Sequence, residues 1–361
     1  MGFKCGIVGL PNVGKSTLFN ALTKGNSAVA NFPFCTIKPN TGVVLVPDSR
    51  IDKLAEIVSP KNIVNAFIEF VDIAGLVKGA SKGEGLGNQF LSNIRETHAI
   101  AHVVRCFKDD NISHVYNNID PKRDVDVINS ELILADFETC EKSILSLEKK
   151  IKFNKDIEKL LIVLNKCLNH LKNFFMLRTL FLDENEKKLI HYLRFLTLKP
   201  IIYIANINEE KESFYFLKQL NMIAQKDRCS VIPIHSSLES DLIKMNKNEQ
   251  KSFMKEFKIK NLGLKKVIMS GYNILNLITF FTVGKKEIRA WSISKGTTSI
   301  NAAHKIHSDI KKGFIRVQII KYLDFIKYQN ETKLKELGKI RSEGKLYKVQ
   351  DGDIVHFLFN I

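Results

Sequence analysis

Nine consecutive residues constrain this chain more than any others: Gly9-Leu10-Pro11-Asn12-Val13-Gly14-Lys15-Ser16-Thr17. They follow the apolar run Phe3 to Val8 and precede a helical pattern carrying Leu18, Phe19, Ala21 and Leu22. That order of strand, glycine-containing loop and helix has the G-x-x-x-x-G-K-S spacing of a phosphate-binding loop. Gly9 and Gly14 permit backbone conformations that a side chain forbids, so successive N–H groups converge on one anion. The helix N-terminus adds its own preference for negative charge. Lys15 is placed to reach the β- and γ-phosphates and to neutralise charge there, and the Ser16 hydroxyl suits Mg²⁺. An ordinary turn would match this pattern by chance in a chain of this length on the order of one time in a hundred. The amides of Asn12, Val13, Gly14, Lys15, Ser16 and Thr17 are therefore the expected nucleotide contacts.

The 361 residues suffice for two or three domains, and 45% hydrophobic with 26% charged residues describes a soluble globular chain. A formal net charge of +17 favours a polyanionic partner, nucleic acid before membrane. A general lysine bias is the alternative. The six cysteines form no C-x-x-C pair, which argues against a zinc knuckle or a disulfide framework and suits a reducing, cytoplasmic setting. Most read as small buried hydrophobes, with Cys35 a weaker candidate for redox sensing. No secretory leader is read at the N-terminus, and no apolar run approaches the length of a membrane span.

Thr36 lies between the first helix and the strand pattern Gly42 to Val46, where switch nucleotidases place a second Mg²⁺ ligand. The run Phe67 to Val71 then delivers Asp72 and, three residues later, Gly75. This D-x-x-G arrangement sets Asp72 near the metal and frees the Gly75 amide for the γ-phosphate. A glycine-rich stretch follows, as expected of a segment ordered by that phosphate. Further buried strands are expected at 101–107, 200–205 and 230–234, alternating with helices, which predicts a parallel sheet covered on both faces.

Between about 120 and 198 the pattern turns helical, with Ile128, Leu132 and Ala135 and later Leu160, Leu164, Leu168 and Leu171 at helical spacing. A break near Asn154 predicts a helical hairpin, and Asp183 with Glu186 predicts a capped helix ending before Pro200. From about Leu277 strand patterns return. Residues 278–361 hold 16 Lys and Arg against 8 Asp and Glu, nearly half the excess charge, and read as a basic α+β module.

A switch GTPase carries Asn-Lys-x-Asp after its fifth strand, and the aspartate reads guanine. Here the sequence is Asn206-Ile207-Asn208-Glu209, without the lysine and with a longer carboxylate. A site that does not demand guanine's donors need not reject adenine, so ATP is expected over GTP. The Asn165-Lys166 pair sits in the helical insertion and lacks the aspartate. Leu76 occupies the place where switch GTPases often put a water-orienting glutamine. Two substitutes remain open: His114 in a polar loop, and Asn12 as part of a monovalent cation site.

Taken together these residues resemble the YchF/Obg-like ATPase family of P-loop nucleotidases. The likeness runs from Met1-Gly-Phe-Lys-Cys-Gly-Ile-Val-Gly9 through Asp72-Ile-Ala-Gly-Leu-Val-Lys-Gly-Ala-Ser81 to Phe357-Leu-Phe-Asn360. The resemblance implies an Obg-type α/β domain over 1–277, with a coiled-coil-like insertion at about 120–198. It also implies a TGS-like β-grasp domain over 278–361. It implies slow, Mg²⁺-dependent ATP hydrolysis with residual GTPase activity, stimulation by K⁺ through Asn12, and binding of the ribosome (50S and 70S) through rRNA. Asn206 and Ile207 would contact adenine beside Glu209, and His114 would be the catalytic histidine. A monomer without membrane association is expected. The competing readings are a GTPase translation factor, and a ribosome or RNA adaptor whose hydrolysis is vestigial.

Overall fold

A computed structural model describes residues 2–24, 40–73, 86–149, 155–257 and 262–360. In chain order the elements are β1 (Lys4–Val8), α1 (Lys15–Lys24), β2 (Thr41–Leu45), α2 (Ser49–Val58), β3 (Asn62–Val64) and β4 (Phe67–Asp72). Then come α3 (Leu86–Arg95), β5 (Ala99–Arg105), α4 (Pro121–Glu148), α5 (Lys155–Lys172), α6 (Glu184–Ile190) and β6 (Ile201–Asn206). The chain continues with α7 (Lys211–Lys226), β7 (Ser230–Ile234), α8 (Ser236–Lys244), α9 (Lys247–Glu256), α10 (Gly263–Ile274), β8 (Leu277–Val283) and β9 (Glu287–Ser294). It ends with α11 (Ser299–Ile306), α12 (Ser308–Lys312), β10 (Phe314–Lys321), α13 (Tyr322–Tyr328), α14 (Glu331–Glu336), β11 (Arg341–Glu343) and β12 (Asp353–Phe359).

These elements form two compact units. One comprises residues 1–43 and 69–267, the other 44–68 and 268–361. In the first, a six-stranded sheet runs in the order β2-β4-β1-β5-β6-β7. Neighbours from β4 to β7 pair in parallel. β5 is buried at every residue and β6 likewise, as central strands covered on both faces must be. Because β1 has β4 on one side and β5 on the other, the chain reverses its winding there. A crevice at the carboxyl end of β1 follows from that topology.

The helical insertion packs α4 against α5 around Cys140, Ile144, Leu164, Cys167 and Leu171, with Met176, Leu177 and Phe195 closing the cluster. Each fully buried Leu or Ile there contributes about 2 kcal/mol. Pro121 opens α4 behind the Asp120 cap, whose side chain accepts the amides of Lys122 and Arg123. The Asp183–Glu186 pair forms the expected capping box at the start of α6. Buried Asp136 of α4 accepts the amides of Leu196 and Thr197 and the Thr197 hydroxyl, which returns the insertion to β6. Lys166 is paired with Glu186 at 3.0 Å.

In the second unit the sheet order is β11-β10-β12-β8-β9-β3. β8–β9, β10–β11 and β10–β12 are antiparallel, while β12–β8 and β3–β9 are parallel. Phe280, Ala302, Ala303, Val317, Ile319 and Phe357 form its core. This is the expected α+β module with one addition. Residues 44–68, which the sequence reading left within 1–277, group with it: β3 pairs with β9, and Arg50 binds Asp48 and Asp351, each at 2.7 Å. Cys5, Cys106, Cys140 and Cys167 are buried free thiols, as expected. Among the described residues no helix is long and apolar enough to cross a membrane.

Candidate functional site

The loop after β1 has the backbone that its glycines allow. Gly14 lies at φ +99°, and a Cβ there would collide with the Asn206 side-chain amide. A Cβ at Gly9 would collide with the Val103 carbonyl in the same way. Lys15 is buried and donates from Nζ to the Leu10 carbonyl at 2.7 Å. Burial pulls its ammonium down to about 8, and Asp72 only partly opposes this. Holding that charge costs the ligand-free protein on the order of 3 kcal/mol, which a bound phosphate would offset.

Ser16 Oγ donates to Asp72 Oδ2 at 3.1 Å. Burial raises the Asp72 carboxyl above the ordinary range, against the lowering effects of Ser16 and Lys15. Its other oxygen, Oδ1, is buried and has no hydrogen-bond partner among the described residues. An unpartnered carboxylate oxygen beside a serine hydroxyl, at the mouth of a phosphate loop, is a donor set suited to a hard divalent cation. Thr36 and Gly75, the other expected members of this cluster, lie outside the described residues, as do Leu76 and Cys35.

From the cradle a cavity of about 470 Å³ extends over the ends of β5, β6 and β7. Asn12, Gly14, Lys15, Ser16 and Thr17 line one side of it. Phe107, Asp109, Ile112, Ile207, Asn208 and the His235-Ser236-Ser237 turn line the other. Val13 turns its side chain into the core and gives its carbonyl to the Asn206 Nδ2 donor at 3.0 Å. Asn206 Oδ1 accepts the Ser236 amide, so this residue ties the phosphate loop to the β7–α8 turn. Ile207 lines the cavity as expected. Glu209 is exposed and is not among the lining residues, whereas its neighbour Asn208 is.

The loop after β5 is held from below by Arg105, a buried guanidinium at the end of that strand. It donates to the carbonyls of Phe107, Asp109 and Ile112 at 3.2, 3.0 and 3.0 Å. Asn12 reaches the same loop, donating to the Ser113 carbonyl and hydroxyl, each at 3.2 Å. His114 comes next, but it does not line the cavity. It is buried, with Nε2 2.9 Å from Asp124 Oδ2 and Nδ1 accepting the Tyr116 amide. The structure thus brings together the expected cradle, Asp72, Asn206 and Ile207, and sets His114 aside. Sequence reasoning missed Arg105, Asp124, Asn208 and His235. A lone arginine in a buried strand was the one visible cue among them.

The profile described as "50S ribosome-binding GTPase" matches residues 4–166. The YchF-GTPase C-terminal profile, described as "Protein of unknown function (DUF933)", matches residues 277–360. The chain is 74% identical, over all of both chains, to the ribosome-binding ATPase YchF of Buchnera aphidicola subsp. Schizaphis graminum. Against the protein of that name from Escherichia coli O157:H7 it is 57% identical, again over all of both chains. The solved Schizosaccharomyces pombe YchF GTPase superposes with a TM-score of 0.88 at 39% identity, covering 99% of this chain and 98% of that one. With full-length identity at this level joined to a complete phosphate loop at the head of β1, the chain belongs to the YchF family of P-loop nucleotidases.

Proposed function

We propose that this chain is a Mg²⁺-dependent ATPase switch that binds the ribosome and hydrolyses ATP slowly to ADP and phosphate in the cytoplasm. One observation carries the choice of nucleotide. The phosphate loop is complete, but Glu209, at the position whose carboxylate reads guanine in switch GTPases, is exposed and off the cavity lining. Guanine would leave its N1–H and 2-amino donors without that partner, whereas adenine brings no such demand.

In this reading the amides of residues 12–17 hold the phosphates, Lys15 neutralises charge on the β- and γ-phosphates, and Asn206 braces the loop while Ile207 packs on adenine. Ser16 and Asp72, with Thr36, would hold Mg²⁺, whose role when bound is to neutralise charge on the β- and γ-phosphates. Gly75 would meet the γ-phosphate, Asn12 would help hold K⁺, and His114 would handle the attacking water. Residues 1–277 would serve as the nucleotidase and 278–361 as a TGS-like docking module. That module's net +8 would bring 50S and 70S particles to it through rRNA, with the protein as a monomer.

Relatives carry both "ATPase" and "GTPase" in their names, so calorimetry with Mg²⁺ and each triphosphate is the decisive titration. Selective ATP binding is expected, and a clear preference for GTP overturns the assignment. Ribosome co-sedimentation across a salt series should weaken steeply if docking is electrostatic.

A further inference from the structure

We propose that the Asp124 carboxylate is a latch that holds His114 away from the triphosphate cradle, so that hydrolysis waits on opening of the His114–Asp124 hydrogen bond. This inference rests on the reading of His114 as the group that handles the attacking water.

The geometry of the pair is that of a closed state. The two side chains are only 3% and 2% exposed and meet at 2.9 Å. Because the Tyr116 amide donates to Nδ1, the ring proton sits on Nε2 and is directed at Asp124. Both nitrogens are engaged, which leaves no lone pair for a water proton. His114 is also absent from the cavity lining, although its neighbour Ser113 touches Asn12 of the phosphate loop. Opening the two ring contacts would therefore bring the imidazole toward the cradle without dismantling the loop.

Asp124 is itself fixed. Arg123 reaches its Oδ1 from Nε and Nη2 at 3.2 and 3.0 Å, while also bonding Asn118 and stacking over Tyr116 at 4.4 Å. The keeper of the latch stands in the first turn of α4, the 28-residue helix of the insertion. A shift of that helix end would act on His114 directly.

The test is single-turnover ATP hydrolysis with Mg²⁺ by the full chain and by its Asp124→Asn, His114→Ala and doubly substituted forms. With the latch weakened, Asp124→Asn should hydrolyse about tenfold faster with unchanged ATP affinity, because the hydrogen bond to His114 loses its charge assistance. The double variant should fall back to the His114→Ala rate. A rate at or below the parent's in Asp124→Asn, with His114→Ala inactive, overturns the latch alone. Acceleration that persists in the double variant does the same. Full activity in His114→Ala overturns the underlying reading of His114 and the latch with it. Should the buried asparagine prevent folding, long-range ¹H–¹⁵N correlation on the unsubstituted, ligand-free protein decides. The Nε2–H tautomer of His114 supports the latch, and the Nδ1–H tautomer overturns it.

Discussion

The two sides of the nucleotide cavity are built by different means. The phosphate-loop side is one unbroken stretch, Gly9 to Thr17, whose own spacing sets its turn. The opposite side is assembled from the loop after β5, the end of β6 and the turn between β7 and α8, held in place by Arg105 and Asn206. One side depends on local covalent order, the other on hydrogen bonds between residues distant in sequence. The first is set mainly by its own residues, with Asn206 as its brace from outside, and the second depends on a few buried donors.

That contrast is most easily broken at Lys15. Lys15→Ala should weaken ATP binding roughly 100-fold in calorimetry, because a buried ammonium–phosphate pair is lost. The ligand-free ammonium, pulled down to about 8 by burial, is protonated below that pH and neutral above it. ATP affinity should thus hold up to about pH 8 and then fall about tenfold per pH unit, a slope absent from Lys15→Ala. By the same linkage the unfolded chain binds more protons between about 8 and the ordinary lysine value near 10.5, so the ligand-free fold gains stability across that window. An affinity that stays flat with pH while Lys15→Ala still weakens binding would show that burial does not lower the Lys15 ammonium.

Arg105→Met should have an intermediate effect. Releasing the carbonyls of Phe107, Asp109 and Ile112 should cost about tenfold in ATP affinity and lower the melting temperature. Undiminished binding would mean that the base side does not need its brace. The smallest effect belongs to Glu209→Ala, at less than about twofold, as befits an exposed residue off the cavity. A larger loss would make Glu209 a base contact after all.

Much of the fold was legible because its determinants are short-range. The strand–loop–helix at Gly9–Thr17, the paired helices α4 and α5 (the expected break near Asn154 itself lies outside the described residues), the Asp183–Glu186 box and the turn at Asp351-Gly352 each declare themselves within a few residues. The grouping of residues 44–68 with the second unit did not. It depends on β3, three residues long and too short to show a period, pairing with β9 more than 200 positions away. The site divides in the same way. The meeting of the Ser16 hydroxyl with the Asp72 carboxylate and the altered base motif could be read from spacing, and the side-chain partners of His114 could not. That histidine and Asp124 are joined through a loop whose course is set by Arg105, and no periodicity encodes a carbonyl.

Asn206 carries one consequence for how such a protein could change its nucleotide. Its two amide atoms are both spent, one on Val13 and one on Ser236, and its bulk fills the space a side chain at position 14 would need. Any replacement would loosen the grip on the triphosphate and the purine pocket in a single step. Drift toward another base is therefore channelled into the flanking positions 207–209 and 235–237, where substitutions can accumulate while the keystone stays put.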